Sequence, residues 1–263
     1  MISKPLAARA AALAVLSGLV LTACHSTNVE ATPENPYALK DSSKLTVCAD
    51  MPYAPFEFMN AQREITGFDM ELADAIAADL KVEKDVIVTP FEQIQSASAL
   101  NANDCDVAIS SISMTDARKT KMAFSTPYYS DNLGLMVPKS SPVKNLAEAK
   151  KVKIGVVAGT TGADFAEEKG VDATIFKDTG TLIQGLQSGQ VHGAIGNRSV
   201  LGYTAGEGSP LHFIEEYETG ETLGIALKKG NEPLLKAVNE SLKRYESSGR
   251  LAESKKRWFG AGS

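Results

Sequence analysis

Aromatic residues are scarce in this chain of 263 residues. They make up 6% of it, with a single tryptophan, Trp258. Cysteine and histidine are scarcer still: Cys24, Cys48 and Cys105, with His25, His192 and His212 scattered between unrelated segments. No Cys-x-x-Cys occurs, so the chain lacks the ligand spacing of a zinc centre, and neither a metal nor a cofactor is expected. There is no Gly-x-Gly-x-x-Gly and no Gly-Lys-Ser/Thr, which removes the dinucleotide and phosphate-loop readings. Gly-x-Ser-x-Gly is missing too, and with it the nucleophile elbow of a hydrolase. Lysine and arginine total 27 against 32 acids, a net charge of −5, and no basic cluster stands out. That balance argues against a nucleic-acid partner.

Beyond the first few dozen residues no apolar run is long enough to span a bilayer. The first residues are different. Lys4 and Arg9 form a basic head without acids, and an apolar stretch runs from Ala10 to Leu21. It reaches Leu21-Thr-Ala-Cys24. A basic head, a short apolar run and small residues before a cut site make a secretory signal over residues 1–23. The competing reading is an ordinary N-terminal helix. Leu-x-Ala-Cys resembles a bacterial lipobox, which implies cleavage before Cys24 and a lipid on its sulfur, anchoring the protein outside the cytoplasm. Residues 24–43 hold Ser, Thr, Asn, Pro33 and Pro36 with little periodicity, and read as a flexible tether. In an exported body, Cys48 and Cys105 can bridge or remain two buried thiols; the sequence leaves both open.

The body is ordinary for a globule, at 43% hydrophobic and 22% charged residues. Leu45–Ala49 alternates like a strand. Phe68, Leu72, Ile76 and Leu80 recur every fourth residue like one face of a helix. Val86–Thr89 is a strand, Glu92–Leu100 a helix and Cys105–Ser110 a strand. The alternation restarts with strands at Val152–Val157, Ala173–Phe176, Gly193–Asn197 and Thr222–Leu227. Helices are expected over Ala163–Lys169 and Thr181–Gln187, and two more close the chain around Glu232–Ser247 and Leu251–Phe259. Strands alternating with helices predict an α/β fold of two lobes with a cleft between them. The expected division is residues 44–136 plus 224–263 for lobe 1 and 137–223 for lobe 2. The crossings are expected near Leu135–Lys139 and Glu221–Ile225.

Ligands of open α/β sheets lie just outside the carboxyl ends of the strands. There the sequence places Asp50 and Tyr53, then Ser110, Ser111, Ser113 and Arg118, then Thr160 and Thr161, then Asn197. Arginine offers a planar fork for a carboxylate, and a helix starting after Gly159 offers free N–H groups. Hydroxyls and Asp50 can receive ammonium or amide donors. Tyr53 and Phe91 are flat apolar plates. Taken singly, the serines are ordinary turn and capping residues, Arg118 belongs to a solvated face beside Lys119 and Lys121, and the aromatics are core. Only their joint placement favours a binding site.

Asp50-Met-Pro-Tyr-Ala-Pro-Phe-Glu-Phe58, Gly67-Phe-Asp69, Asp106–Arg118 and Phe124-Ser-Thr-Pro-Tyr-Tyr129 carry a closer likeness. Together with Gly159-Thr-Thr161 and Lys256-Arg-Trp-Phe-Gly260, they resemble the family 3 solute-binding proteins of polar amino-acid ABC importers. The resemblance implies a two-lobed type II periplasmic-binding-protein fold with two hinge crossings. It also implies a monomeric partner of ABC importer membrane subunits, with no chemistry of its own. In that family Arg118 would grip the ligand α-carboxylate, Thr161 would help from the other lobe, and Ser111 and Ser113 would bond carboxylate and ammonium. Asp50, Tyr53 and Phe91 would surround the side chain. The Ser-Ser-x-Ser run is most similar to lysine/arginine/ornithine binders, with Asp50 and Asp69 facing a cation. One position departs from the pattern: the family's usual Asp, which neutralises the ligand ammonium, is Asn197 here. The expected ligand is a polar amino acid, cationic or glutamine-like; the alternative is a derivative lacking a free α-ammonium. A dehydratase-like enzyme on the same scaffold is the competing class, with Glu57, Asp50 and Asp69 the nearby acids and Ser141-Pro-Val-Lys144 a weak Ser-x-x-Lys.

Overall fold

The computed structural model describes Met1 and residues 29–260. The readings on residues 2–28, including Cys24, lie outside the described residues. The chain opens with β1 (Lys44–Ala49), the short hairpin strands β2 (Phe58–Met59) and β3 (Ile65–Thr66), helix α1 (Phe68–Leu80) and β4 (Glu83–Val88). Then come α2 (Phe91–Gln95), α3 (Ser98–Asn101), β5 (Val107–Ala108), α4 (Asp116–Lys119) and β6 (Ala123–Phe124). A long strand β7 (Tyr129–Pro138) leads through α5 (Leu146–Ala149) to β8 (Ile154–Val157), α6 (Thr161–Glu168), β9 (Ala173–Phe176) and α7 (Thr179–Gln187). β10 (Gly193–Asn197), α8 (Arg198–Ala205), a second long strand β11 (Leu211–Leu223), β12 (Ala226–Leu227), α9 (Glu232–Ser247) and α10 (Arg250–Phe259) complete it.

The strands form two five-stranded sheets, ordered β4-β1-β5-β12-β6 and β11-β7-β10-β8-β9. Each is covered on both faces by helices, so its central strands read as apolar runs. In the first sheet, Leu45 and Val47 pack under α1, whose Phe68, Leu72 and Ile76 are buried, while Cys48 and Ala108 face Ile94 and Leu100 on the other side. In the second sheet the two faces are closed by separate clusters around Ile154 with Ile195 and Leu182 with Ala194. Cys48 and Cys105 form a disulfide that links β1 to the approach to β5.

The single strand expected over Thr222–Leu227 is divided, Thr222 and Leu223 ending β11 in the second sheet and Ala226–Leu227 forming β12 in the first. The structure departs from the sequence expectations in three further places. β7 belongs wholly to the second sheet, so the chain leaves the first sheet between Phe124 and Tyr129 rather than near Leu135–Lys139. It returns between Leu223 and Ala226. The start of β7 pairs with the end of β11, Asp131 opposite Glu221 and Tyr129 opposite Leu223, so the two crossings run side by side. The second departure is the tether. From Asn35 onward it is docked: Leu39 is buried in the first core, Asn35 bonds both backbone groups of Leu39, and the Lys40 N–H donates to Asp106 at 2.6 Å. Third, the helix expected over Glu92–Leu100 is two, α2 and α3, because Ala97 turns left-handed with φ 63°.

Candidate functional site

A cavity of about 300 Å³ opens between the carboxyl ends of the two sheets. From the first sheet, Asp50 and Tyr53 line it after β1, and Phe91 from the start of α2. Ser110, Ser111, Ser113 and Arg118 line it after β5. From the second sheet come Thr160 and Thr161 at the start of α6, and Asn197 at the end of β10. Ten of the eleven residues expected at the site therefore meet in one cavity. Asp69 does not.

Arg118 is 6% exposed. Thr115 caps the short α4 by accepting its backbone N–H, and the guanidinium lies 5.1 Å from the centre of the Phe91 ring. One arm donates to the Ser113 carbonyl and the other to the Gly159 carbonyl, each at 3.2 Å. Burial lowers its pKa, and the charge of Glu221 opposes that effect. The solvated-face reading of Arg118 is thus overturned, since the fork is desolvated and spans from one lobe to the other. Across the cavity, Thr160 caps α6 by accepting from the Ala163 N–H, which leaves the first N–H groups of the helix as a partial positive charge. Gly159 precedes them with φ 70°, and a Cβ there would lie 2.8 Å from Gln95.

Asp69 is fully buried beneath this wall. Its Oδ2 accepts from the Ser111 N–H at 2.7 Å and from the Tyr128 hydroxyl at 3.0 Å. Ser111 adopts a left-handed φ of 47°. That conformation costs a non-glycine residue of order 1–2 kcal/mol, and the Asp69 bond holds it in place. Beside it, Glu57 accepts from the Ser110 hydroxyl at 2.5 Å, and that hydroxyl accepts from the Asp50 N–H. Glu57 Oε2 and Asp69 Oδ1 are left over, both buried and without a hydrogen-bond partner. Burial drives Glu57 well above the carboxylate range and pushes Asp69 up to about 7. The sequence expectation that Asp69 faces a cationic side chain is corrected: it shapes the serine turn from behind.

Asp50 does face the cavity. Burial raises its pKa, as does the charge of neighbouring Asp178, while the Phe91 N–H and Lys177 lower it. Asp178, Lys177 and Glu92 also line this region, and the sequence reading missed them. Asp178 is spent partly on capping α7 through the Thr181 N–H. Glu221 was placed only within an expected crossing, yet its carboxylate is bonded by Ser113, Thr161 and Asn197. Ser141-Pro-Val-Lys144 is a turn outside the cavity, in which the Lys144 ammonium meets the Ser141 carbonyl.

The family model for bacterial extracellular solute-binding proteins, family 3, matches residues 45–261. The chain belongs to this family. It is 31% identical to the L-cystine-binding protein TcyJ of Escherichia coli (strain K12) over 228 residues, 85% of each chain. Among solved structures it is similar to an ancestral arginine-binding protein bound to arginine, at 30% identity and a TM-score of 0.76, covering 83% of this chain and 99% of that one. It is equally similar to the ancestral amino acid-binding protein AncCDT-1, a precursor of cyclohexadienyl dehydratase, at 30% identity and a TM-score of 0.75, covering 82% and 95%. The two-lobed α/β architecture is that of these relatives. Among the described residues no helix is long and apolar enough to cross a membrane, and no cluster of His, Cys, Asp or Glu could hold a metal ion.

Proposed function

We propose that this family member is the extracytoplasmic binding component of an ABC importer for a polar amino acid with a cationic or amide side chain. One observation carries the reading: the cavity holds a desolvated guanidinium and a helix N-terminus for a carboxylate, and a separate pair of acids, Asp50 and Asp178, beside it. A carboxylate matches Arg118 in bidentate geometry, and Asp50 receives N–H donors of the side chain. Ligand capture closes one lobe on the other about the paired crossings, Tyr129–Asp131 and Glu221–Leu223, and the membrane subunits respond to the closed form. Lobe 1 then comprises residues 44–128 plus 224–260, and lobe 2 residues 129–223.

A lipid on Cys24 holds the monomer at the membrane. Intact-mass analysis of protein from the native host tests the anchor, and an unmodified Cys24 overturns it.

A thermal-shift panel of L-arginine, L-lysine, L-ornithine, L-histidine, L-glutamine, L-cystine and L-glutamate tests the ligand class. A ligand at about 100 times its Kd stabilises by ~2.7 kcal/mol. Stabilisation by arginine, lysine, ornithine or glutamine is the expected result. Stabilisation by L-cystine or L-glutamate alone, or by none, overturns the reading.

A further inference from the structure

Glu221 lies where the chain returns from the second sheet, opposite Asp131 and next to a register irregularity in β11. Three donors from three separate elements converge on it. The Ser113 hydroxyl donates to Oε1 at 2.6 Å and the Asn197 amide to the same oxygen at 3.0 Å, while the Thr161 hydroxyl donates to Oε2 at 2.8 Å. All three donors line the cavity, and Glu221, which is not itself among the lining residues, sits directly behind them. Arg118 feels the Glu221 charge more strongly than that of any other acid. Asp131, the nearest other acid on these strands, is already taken up by the Ser199 hydroxyl and the N–H groups of Asn132 and Ser199.

We propose that Glu221 is the anion that receives the ligand α-ammonium, and that Asn197 is neutral because Glu221 occupies that role. This rests on the amino-acid reading and assigns the half of the ligand that reading leaves without a charged partner. A carboxylate presents about four lone-pair sites, so three protein donors leave room for an ammonium N–H. An aspartate at 197 would set two carboxylates about 3 Å apart, where both cannot remain ionised without a large penalty. As an amide, Asn197 instead donates to Glu221 and fixes its rotamer. The negative charge has in effect moved from the end of β10 to the crossing strand. A zwitterion placed between Arg118 and Glu221 satisfies both charges. Because Ser113 comes from one lobe and Thr161 and Asn197 from the other, closure and recognition of the ammonium share the same carboxylate.

The test is a charge relocation cycle read by calorimetry. The probes are L-arginine and L-glutamine, each beside its analogue without the α-amino group, δ-guanidinovalerate and glutaramate. Glu221→Gln weakens both amino acids by about ten- to a hundred-fold, the range of a hydrogen bond to a charged group, and leaves the analogues within about two-fold. Asn197→Asp alone also weakens the amino acids. The double variant Asn197→Asp/Glu221→Gln restores them to within about ten-fold of wild type, because the charge sits again at the end of β10. Equal losses for amino acids and analogues in Glu221→Gln make Glu221 a structural cross-link and overturn the proposal. So do unchanged affinities, or a double variant no better than the worse single one. If the wild type binds neither L-arginine nor L-glutamine, the ligand class falls first and the role of Glu221 falls with it.

Discussion

The two lobes build their halves of the cavity by different means. The first holds its serine turn with buried polar and covalent structure: the buried acids Glu57 and Asp69, the Tyr128 hydroxyl, and the Cys48–Cys105 disulfide. The second contains no cysteine and brings backbone to the ligand by close packing. A Cβ at Gly162 would fall 2.9 Å from the Gly196 Cα, so glycine at 162 lets the first turn of α6 rest against the end of β10. The first lobe therefore presents side chains held by buried partners, Arg118 among them, and the second presents the N–H groups of a helix end.

The largest effect that tests this division is Arg118→Ala. Removing one partner of a buried charge pair costs ~3–5 kcal/mol, so affinity falls by roughly a few hundred- to a few thousand-fold. Thr161→Ala, on the other lobe, loses one hydroxyl bond to Glu221 and keeps the helix N–H groups; it costs ~1 kcal/mol, less than about ten-fold. Calorimetry with the amino acid that binds best compares them directly. Losses of similar size in the two variants break the asymmetry.

The disulfide comes next, through stability rather than affinity. It closes a separation of 57 residues. Chain entropy gives such a cross-link ~4 kcal/mol of stabilisation. Replacing Cys48 and Cys105 by Ala lowers the denaturant midpoint accordingly, and changes ligand affinity little in protein that is still folded, since neither residue lines the cavity. An unchanged midpoint shows that the buried acids and the core hold the first lobe unaided.

Much of this was legible in the sequence wherever one residue type answers one physical demand. Phe68, Leu72 and Ile76 mark α1 because a helix must bury a stripe, and β9 and β10 fall where β-branched and small apolar residues cluster between turns. β7 and β11 escaped because their crossing parts are polar: Tyr129-Ser-Asp131 pairs with Glu221-Thr-Leu223 where the chain passes between the sheets, so no apolar alternation marks them. The site was readable as a set of residue types at strand ends, and ten of those residues meet in the cavity. Whether an acid points into the cavity or beneath it depends on packing that spacing does not encode. Asp50 and Asp69 look alike in sequence, and one faces the ligand space while the other is sealed against Tyr128. Glu221 carried no local signal, because its three donors come from segments 24, 60 and 108 residues away.

The smallest effect separates the lobes by proton uptake. Asp69 is pushed from 3.8 up to about 7, chiefly by burial, against the Ser111 N–H and Tyr128 bonds and the neighbouring Glu57, which lower it. Asp131, on the crossing strand, rises to about 6, again by burial, with Ser199 and Asn132 opposing and Glu221 adding to the rise. For a carboxyl whose folded pKa exceeds its unfolded one, the native state binds the extra proton. Stability is then greatest below about pH 4 as far as these groups decide it, and declines as pH rises through the folded values. One extra proton sets a slope of ~1.4 kcal/mol per pH unit. Urea titrations of the wild type between about pH 5 and 7.5 are therefore expected to show stability falling with pH. Asp69→Asn should flatten the upper part of that window and Asp131→Asn the lower part. Asparagine at 69 still offers an oxygen to the Ser111 N–H, so the serine turn keeps its left-handed bend while the titration is removed. A wild-type profile flat over this range would mean that burial does not raise Asp69 and Asp131. The contrast between the lobes would then rest on the disulfide and Arg118 alone.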